Sequence, residues 1–312
     1  MARFATAGLE PRLTPAACLV LASALWATGT IIAKHLLTTV PPLTLLVIQL
    51  VPSVLALWIL VLVRGVPLIA FGKALPIALI GLLNPGLSYT LSMLGLAQTP
   101  AGVAMLLWAA EPALIVVMAW LILRETVTAR LVLLTAAAAC GVILVSGAAS
   151  MAAPAAGAST GPALILAGVL CCAVYTVLSR KIAMTVDPLF TVALQQTVAL
   201  VWAASIWPLE WNGSAWDAVS ALSQSVWLGG AISGLMYYAA AFWLYLVGLR
   251  SFPASSAGLF INLTAVFGVA AGYMFLGERL APAQWAGAAV IVVAVAGLLI
   301  GVGSPMRETD RC

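Results

Sequence analysis

Glu111 is the residue whose type and setting demand the most explanation. It stands inside a long apolar run, with Trp108 three positions before it and Pro112 directly after it. An acid at the centre of a bilayer-spanning helix costs about 2.5–3.5 kcal/mol on insertion scales, so it is expected to face protein or a wet cavity. Such a group suits a proton carrier or a counter-ion for an amine. The alternatives are a static pair with Lys34 or His35, or a protonated acid making structural hydrogen bonds. Trp108 lies on nearly the same helical face, and Pro112 denies its helix one backbone hydrogen bond, which suits a bending element.

Other polar and aromatic residues fall at the middle of apolar runs. Asn84-Pro85-Gly86 is a helix-breaking triplet with Tyr89 beyond it, Tyr237 is followed by Tyr238, Trp243 and Tyr245, and Trp26, Tyr175 and Asn262 stand in runs of their own. Ring faces stack on planar solutes and attract cationic groups, although an aromatic stripe serves packing just as well. The expected binding set is Trp26, Asn84, Tyr89, Trp108, Glu111, Tyr175, Tyr237, Trp243 and Asn262, gathered around one central cavity. Lys34, His35, Glu111 and Pro112 are the candidates for gating or coupling. Gln49 and Gln195 suit interhelical glue as well as solute contacts, and Glu125 and Glu278 read as structural residues at helix ends.

The chain offers little for other chemistry. It holds one histidine, no H-E-x-x-H, no Cys/His cluster and no G-x-x-x-x-G-K-[ST]. No metal, no cofactor and no direct ATP drive are expected, and the reading is not an enzyme. Four of the five cysteines sit in apolar runs and Cys312 is the last residue, so no disulfide framework is expected.

These residues must be held by helices in lipid. Of 312 residues 64% are hydrophobic and 7% charged, against about 25% charged in soluble domains. Such a surface faces a bilayer, whose core takes roughly 20 apolar residues per helix, and lipid leaves no partner for free backbone groups. Spans are expected at 15–37, 42–63, 73–97, 101–123, 129–148, 162–184, 188–208, 225–249, 254–276 and 282–302. Ala22-Ser23-Ala24 would pass for a signal-peptidase site, but its run continues to Ile32 and has a partner later in the chain. The loop 209–224 carries Glu210, Asp217, Trp211 and Trp216, a mixture suited to the interface. With Trp207, Trp227 and Trp285, those rings read as belt anchors near the outer surface.

With the N-terminus inside, Arg3, Arg12, Arg64, Lys73, Arg124, Arg130, Arg180, Lys181, Arg250, Arg307 and Arg311 share one side. The other side holds Arg279, plus Lys34 near the end of the first span. This asymmetry places both termini in the cytoplasm of a multi-pass protein of the cell (inner) membrane. The net charge of +4 is thereby a topology signal, with no nucleic-acid partner implied.

The halves repeat. Gly95-Leu96 and Pro100-Ala101 recur as Gly248-Leu249 and Pro253-Ala254, and the same offset aligns Leu123 with Leu276 and Glu125 with Glu278. Pro42-Leu43 and Gln49 match Pro188-Leu189 and Gln195 at a slightly shorter offset. The expected division is a first repeat over 1–148, a linker over 149–161, a second repeat over 162–303 and a cytoplasmic tail over 304–312. Five spans per repeat is an odd number, so the second repeat enters the membrane upside down. The expected fold is all-α and integral to the membrane, with ten transmembrane helices as two inverted five-helix repeats. Secondary transporters have this architecture, with the solute site near the midplane where the repeats meet.

Trp26-Ala27 with Lys34 eight positions after the Trp resembles the W-G…K pattern in the first helix of the drug/metabolite transporter superfamily. The segments Glu111-Pro112 through Leu123-Arg124-Glu125, and Leu263 through Leu276-Gly277-Glu278-Arg279 to Gly287, resemble the signature of its EamA-type repeats. Ala27 and Arg124 stand where the pattern has Gly. The resemblance implies a ten-helix exporter of metabolites or amino acids, and the aromatic content points to the aromatic amino-acid exporters. Drug or nucleoside export is the alternative within the superfamily. A membrane enzyme or a channel is a distant alternative, since no continuous polar lining or filter loop is evident. The expected partners are a small-molecule solute and the lipid bilayer, and one chain carrying both repeats is expected to work as a monomer.

The loop after Glu278 is expected outside. An Ala281→Cys variant should react with an impermeant thiol reagent added to the external face of intact cells. Labelling only from the cytoplasmic face would overturn the topology.

Overall fold

The computed structural model describes residues 13–96, 99, 107–146, 160–210, 219, 222–276 and 281–302. Every regular element among them is helical. Helix α1 runs over Leu13–Leu36, α2 over Pro42–Val63, α5 over Ala129–Ser146, α6 over Thr160–Ala183, α7 over Pro188–Ile206 and α10 over Pro282–Val302. Four others are composite. Helix α3 joins Phe71–Leu79, a 3-10 turn Ile80–Leu82, a π-turn Leu83–Leu87 and Ser88–Leu96. Helix α8 joins Gln224–Gly234, a π-segment Leu235–Ala241 and Phe242–Leu249. Helix α9 is Ala254–Ile261 followed by Leu263–Leu276, and α4 is described from 107, with Glu111–Met118 followed by a π-turn Ala119–Leu123.

Nine of the described stretches are long and apolar enough to cross a bilayer, and Glu111–Leu123 is a shorter apolar helix. These are the ten helices the hydropathy pattern predicts. Helix α6 starts at Thr160, so the last two residues of the expected linker are helical; 149–159 and the tail 304–312 lie outside the described residues. So do the interface segment around Trp211, Trp216 and Asp217, and the Glu278-Arg279 pair.

The irregularities respect the repeat. The π-turn of α3 and the π-segment of α8 occupy corresponding places, with Asn84 opposite Tyr237. Asn84 itself is non-helical (φ −149°, ψ 123°), because Pro85 supplies no N–H to continue the α pattern. Helix α4 starts afresh at Glu111 after a turn at 109–110, and α9 breaks at the corresponding Asn262. Pro112 therefore sits in the first turn of a new helical piece, where its missing N–H leaves no intrahelical bond broken.

The packing is symmetric as well. Helix α3 lies on α6 as α8 lies on α1, and α4 meets α6 as α9 meets α1. Helices α2 and α8 pair as α7 and α3 do, while α2–α7, α4–α9 and α5–α10 join equivalent helices of the two halves. Each contact thus has its counterpart in an inverted repeat. Helices α5 and α10 pack mainly on each other and present Leu133, Val293 and Ile300 outward. Outward apolar side chains are what a lipid-facing surface requires.

Lipid tails give no hydrophobic reward for joining two apolar helices, so close backbone approach and interhelical hydrogen bonds do that work. A Cβ on Gly81 would stand 2.0 Å from the Gln195 carbonyl oxygen, and one on Gly234 would stand 2.2 Å from that of Gln49. These two contacts are repeat counterparts. Gly95 against Ile165 and Gly248 against Leu19 form a second such pair, and Gly141 and Gly287 face one another between α5 and α10. Gln49 Nε2 donates to Ser233 Oγ (2.9 Å), while Tyr175 OH donates to Gln195 Oε1 (2.9 Å) and Gln195 Nε2 to Ser179 Oγ (3.3 Å). Both glutamines act as interhelical ties.

Gly81→Ala and Gly234→Ala should each destabilise the purified protein by about 1–3 kcal/mol, seen as a lower melting temperature in detergent. Gly268→Ala, with nothing within 4 Å of its Cβ, should leave it unchanged. Equal melting temperatures for all three would contradict the packing described here.

Candidate functional site

The two halves meet in a cluster of aromatic rings. Tyr237 and Tyr238, on the π-segment of α8, lie with ring centres 4.9 Å apart. Tyr89 of α3 meets them edge-on at 5.9 and 5.8 Å and reaches Trp108 at 6.5 Å. Trp26 of α1 lies 6.5 Å from Tyr237, 5.4 Å from Phe242 and 5.1 Å from Tyr245. Phe242 also meets Tyr175 edge-on at 5.9 Å and stacks on Tyr238 at 6.3 Å. The hydroxyls of Tyr89 and Tyr237, one from each repeat, share a hydrogen bond.

Of the expected set, Trp26, Tyr89, Trp108, Tyr175 and Tyr237 come together here. Tyr175 is wholly buried with its hydroxyl committed to Gln195, so it supports the cluster from behind. Trp243 lies apart: its ring carries the Arg64 guanidinium at 4.8 Å. The reason is helical phase. Tyr238, Phe242 and Tyr245 follow the i, i+4, i+7 spacing of one helix face, and Trp243 sits about 100° away from Phe242. That spacing was visible in the sequence, and it marks Tyr238, Phe242 and Tyr245 as the α8 residues that the expected set lacked.

Asn84 and Asn262 spend their side chains at the helix breaks. Ser88 Oγ donates to Asn84 Oδ1 (2.8 Å), and Asn262 Nδ2 donates to the Leu259 carbonyl (3.2 Å). His35 is exposed at the end of α1 and makes no pair with Glu111; the side chain of Lys34 lies outside the described residues.

Glu111 opens the second piece of α4 with its side chain partly buried. It lies within electrostatic reach of Cys172 on α6 and of Tyr237 and Tyr245 on α8. Among the described residues it has neither a hydrogen bond nor an ion pair. It is not alone in this. Trp26 Nε1, Tyr245 OH and both side-chain polar atoms of Gln196 are buried without a hydrogen-bond partner, and so is the hydroxyl of Thr264, the repeat counterpart of Glu111. A buried donor or acceptor left unpaired costs about 1–3 kcal/mol; of these groups Trp26 and Tyr245 belong to the ring cluster, while Ser92, Thr99 and Thr135 also lack a partner among the described residues. The cluster and its surroundings offer a carboxyl group at Glu111, an N–H donor at Trp26 and a hydroxyl at Tyr245.

The rings pack on one another rather than line an open cavity. The two concavities best defined among the described residues lie elsewhere and are apolar. One, of about 560 Å³, is lined by Ala16, Ala17, Val20, Leu21, Ala24, Phe267 and Leu299, and the other by Val266, Trp285, Ala288, Ala289, Val292 and Val293. At the place of the expected central cavity, Tyr237, Tyr238 and Phe242 pack between Trp26 of α1 and Tyr89 of α3.

The sequence matches the model of the EamA-like transporter family twice, over residues 14–147 and 159–300. No curated protein matches it in sequence. A protein of known crystal structure superposes with a TM-score of 0.78 at 20% sequence identity, covering 91% of this chain and 98% of the other; at that identity the likeness is one of fold. Two family matches that together take in nearly the whole chain, on a helical fold whose halves repeat in contact and in irregularity, identify the protein: it is a member of the EamA-like transporter family.

Proposed function

We propose that this transporter is a secondary carrier that exports amino acids, aromatic ones foremost, by alternating access between its two repeats. The observation that carries the reading is the Glu111 side chain, without a hydrogen bond or ion pair among the described residues, near a ring cluster in which Trp26 Nε1 and Tyr245 OH likewise lack one. An amino acid completes that arrangement. Its ammonium group pairs with Glu111, its carboxylate accepts from Trp26 Nε1 and Tyr245 OH, and an aromatic side chain lies among the faces of Tyr89, Tyr237 and Phe242. The rings pack on one another, so binding must part them, and the two repeats supply the movement. The breaks at 84, 109–110 and 262 put the bending points beside the site. The working unit is one chain in the cell membrane with both termini in the cytoplasm, the orientation the basic residues favour.

Glu111→Gln keeps the size of the side chain and removes its charge. Net transport of tyrosine or phenylalanine in proteoliposomes should fall about tenfold or more, with a melting temperature close to wild type, since no structural partner is lost. Initial rates should be compared across external pH at matched protein content. Identical rates and identical pH profiles for the two proteins would return Glu111 to a structural role.

A further inference from the structure

Two carboxylates tie the repeats together at opposite ends of the bundle, and both do it in the same way. Glu125 follows Arg124, whose left-handed backbone (φ 55°) closes α4. Its Oε1 accepts from the Ala254 backbone N–H (2.8 Å), and its Oε2 accepts from the Ser255 N–H (3.1 Å) and the Ser255 hydroxyl (2.6 Å). Glu210, just past the end of α7, takes the Leu43 N–H on Oε1 (2.7 Å), and the Thr44 N–H (2.9 Å) and hydroxyl (3.1 Å) on Oε2. The donors are the first N–H groups of α9 and α2, which have no acceptor within their own helix. Each helix starts next to a proline, Pro253 or Pro42. Helix α7 meets the same need locally, from its own Asp187. Glu125 and Glu210 instead reach across from the other repeat.

What they hold lies between the ends of the bundle and the ring cluster. The first piece of α9 is buried along its length from Ala254 to Phe260, and the Phe260 carbonyl accepts from Ser23 of α1 (2.9 Å). It ends at the Asn262 break, beside the centre. Arg180 of α6 donates to the last α8 carbonyl, Leu249, and feels the charge of Glu125. A cation at the end of α8 and an anion at the start of α9 thereby fix the turn between them, each matching a helix dipole. At the other end Trp207 Nε1 donates to Thr44 Oγ1 (2.9 Å), next to Glu210.

We infer that Glu125 and Glu210 are the two gate latches of the transport cycle, released one at a time to open opposite faces. Both are closed here, in keeping with the filled centre. They are positioning residues, since neither touches the solute site. The inference rests on the alternating-access reading given above. Charge-assisted bonds of this kind are made and broken as units, because a carboxylate that leaves a helix N-terminus finds water at once. A glutamine cannot replace it, having one acceptor oxygen where two are needed.

The test uses Cys172, which is buried beside the ring cluster, as a native reporter. In full-length protein with Cys18, Cys140, Cys171 and Cys312 changed to Ser, an impermeant methanethiosulfonate is added to one face or the other of oriented proteoliposomes. Glu125→Gln should raise the labelling rate of Cys172 about tenfold from the face that carries Arg64 and Arg250, and from that face alone. Glu210→Gln should do the same from the opposite face. Ser255→Ala, which removes one of the three bonds, should act in the direction of Glu125→Gln with a smaller effect, and Glu125→Asp should restore part of the wild-type rate. Caps that serve stability alone would lower the melting temperature and leave the sidedness of labelling unchanged, which would overturn the inference. If Cys172 reacts from both faces in wild type at rates that no latch variant alters, the latches fall while the carrier reading stands. If Cys172 is unreachable from either face in every variant, both fall.

Discussion

At Gly81 and Gly234 the backbone of one repeat presses against the backbone of the other with no room for a methyl group. The contacts set the distance between α3 and α7 and between α8 and α2, and each lies a few residues before a π-turn. A helix held that tightly on one side can adjust only by changing its own winding, and the extra residue of a π-turn is such an adjustment. The π-segment of α8 then aims Tyr237 and Tyr238 at Tyr89, while the break at Asn84 does the corresponding work in α3. In this way a packing constraint built from two glycines and two glutamine backbones determines where the rings meet.

Polar groups at the repeat contacts and in the ring cluster differ in how they are satisfied. Gln49 and Gln195, which lie at the repeat contacts, are tied to Ser233, Tyr175 and Ser179. Trp26 Nε1, Tyr245 OH and the Gln196 amide have no such tie among the described residues. A protein that needed only to be stable in lipid would have replaced these with apolar side chains at no loss. Keeping them unpaired costs stability and leaves binding capacity, which is what a carrier with a transient ligand requires.

Much of this fold could be read from residue order, because hydropathy needs only runs of apolar residues and the inverted plan needs only an odd number of spans per repeat. The repeat was visible in single residues such as Gly95 and Gly248, whose counterparts turn out to pack against counterparts. The site was legible in part. Trp26, Tyr89 and Tyr237 were identifiable as aromatic residues at mid-span, but membership depended on helical phase, and counting rings without it admitted Trp243 and passed over Phe242. Asn84 and Asn262 were polar at mid-membrane for a local reason, the repair of broken helices. Glu125 could be assigned from sequence only to a helix end and Glu210 only to an interfacial loop, since their partners are far away in the chain and are mostly backbone groups, which carry no residue signature.

The central claim is that two inverted repeats carry a solute in turn past a shared ring cluster. Solute counterflow measures this most directly. Purified protein in vesicles preloaded with an unlabelled mixture of amino acids would be diluted into labelled tyrosine or phenylalanine, and initial uptake followed against concentration. An alternating carrier gives uptake that saturates and that is faster into loaded than into empty vesicles, because the return of the site is speeded by bound solute. Uptake that rises in proportion to concentration and is indifferent to the internal solute would contradict the account and describe an open pathway instead.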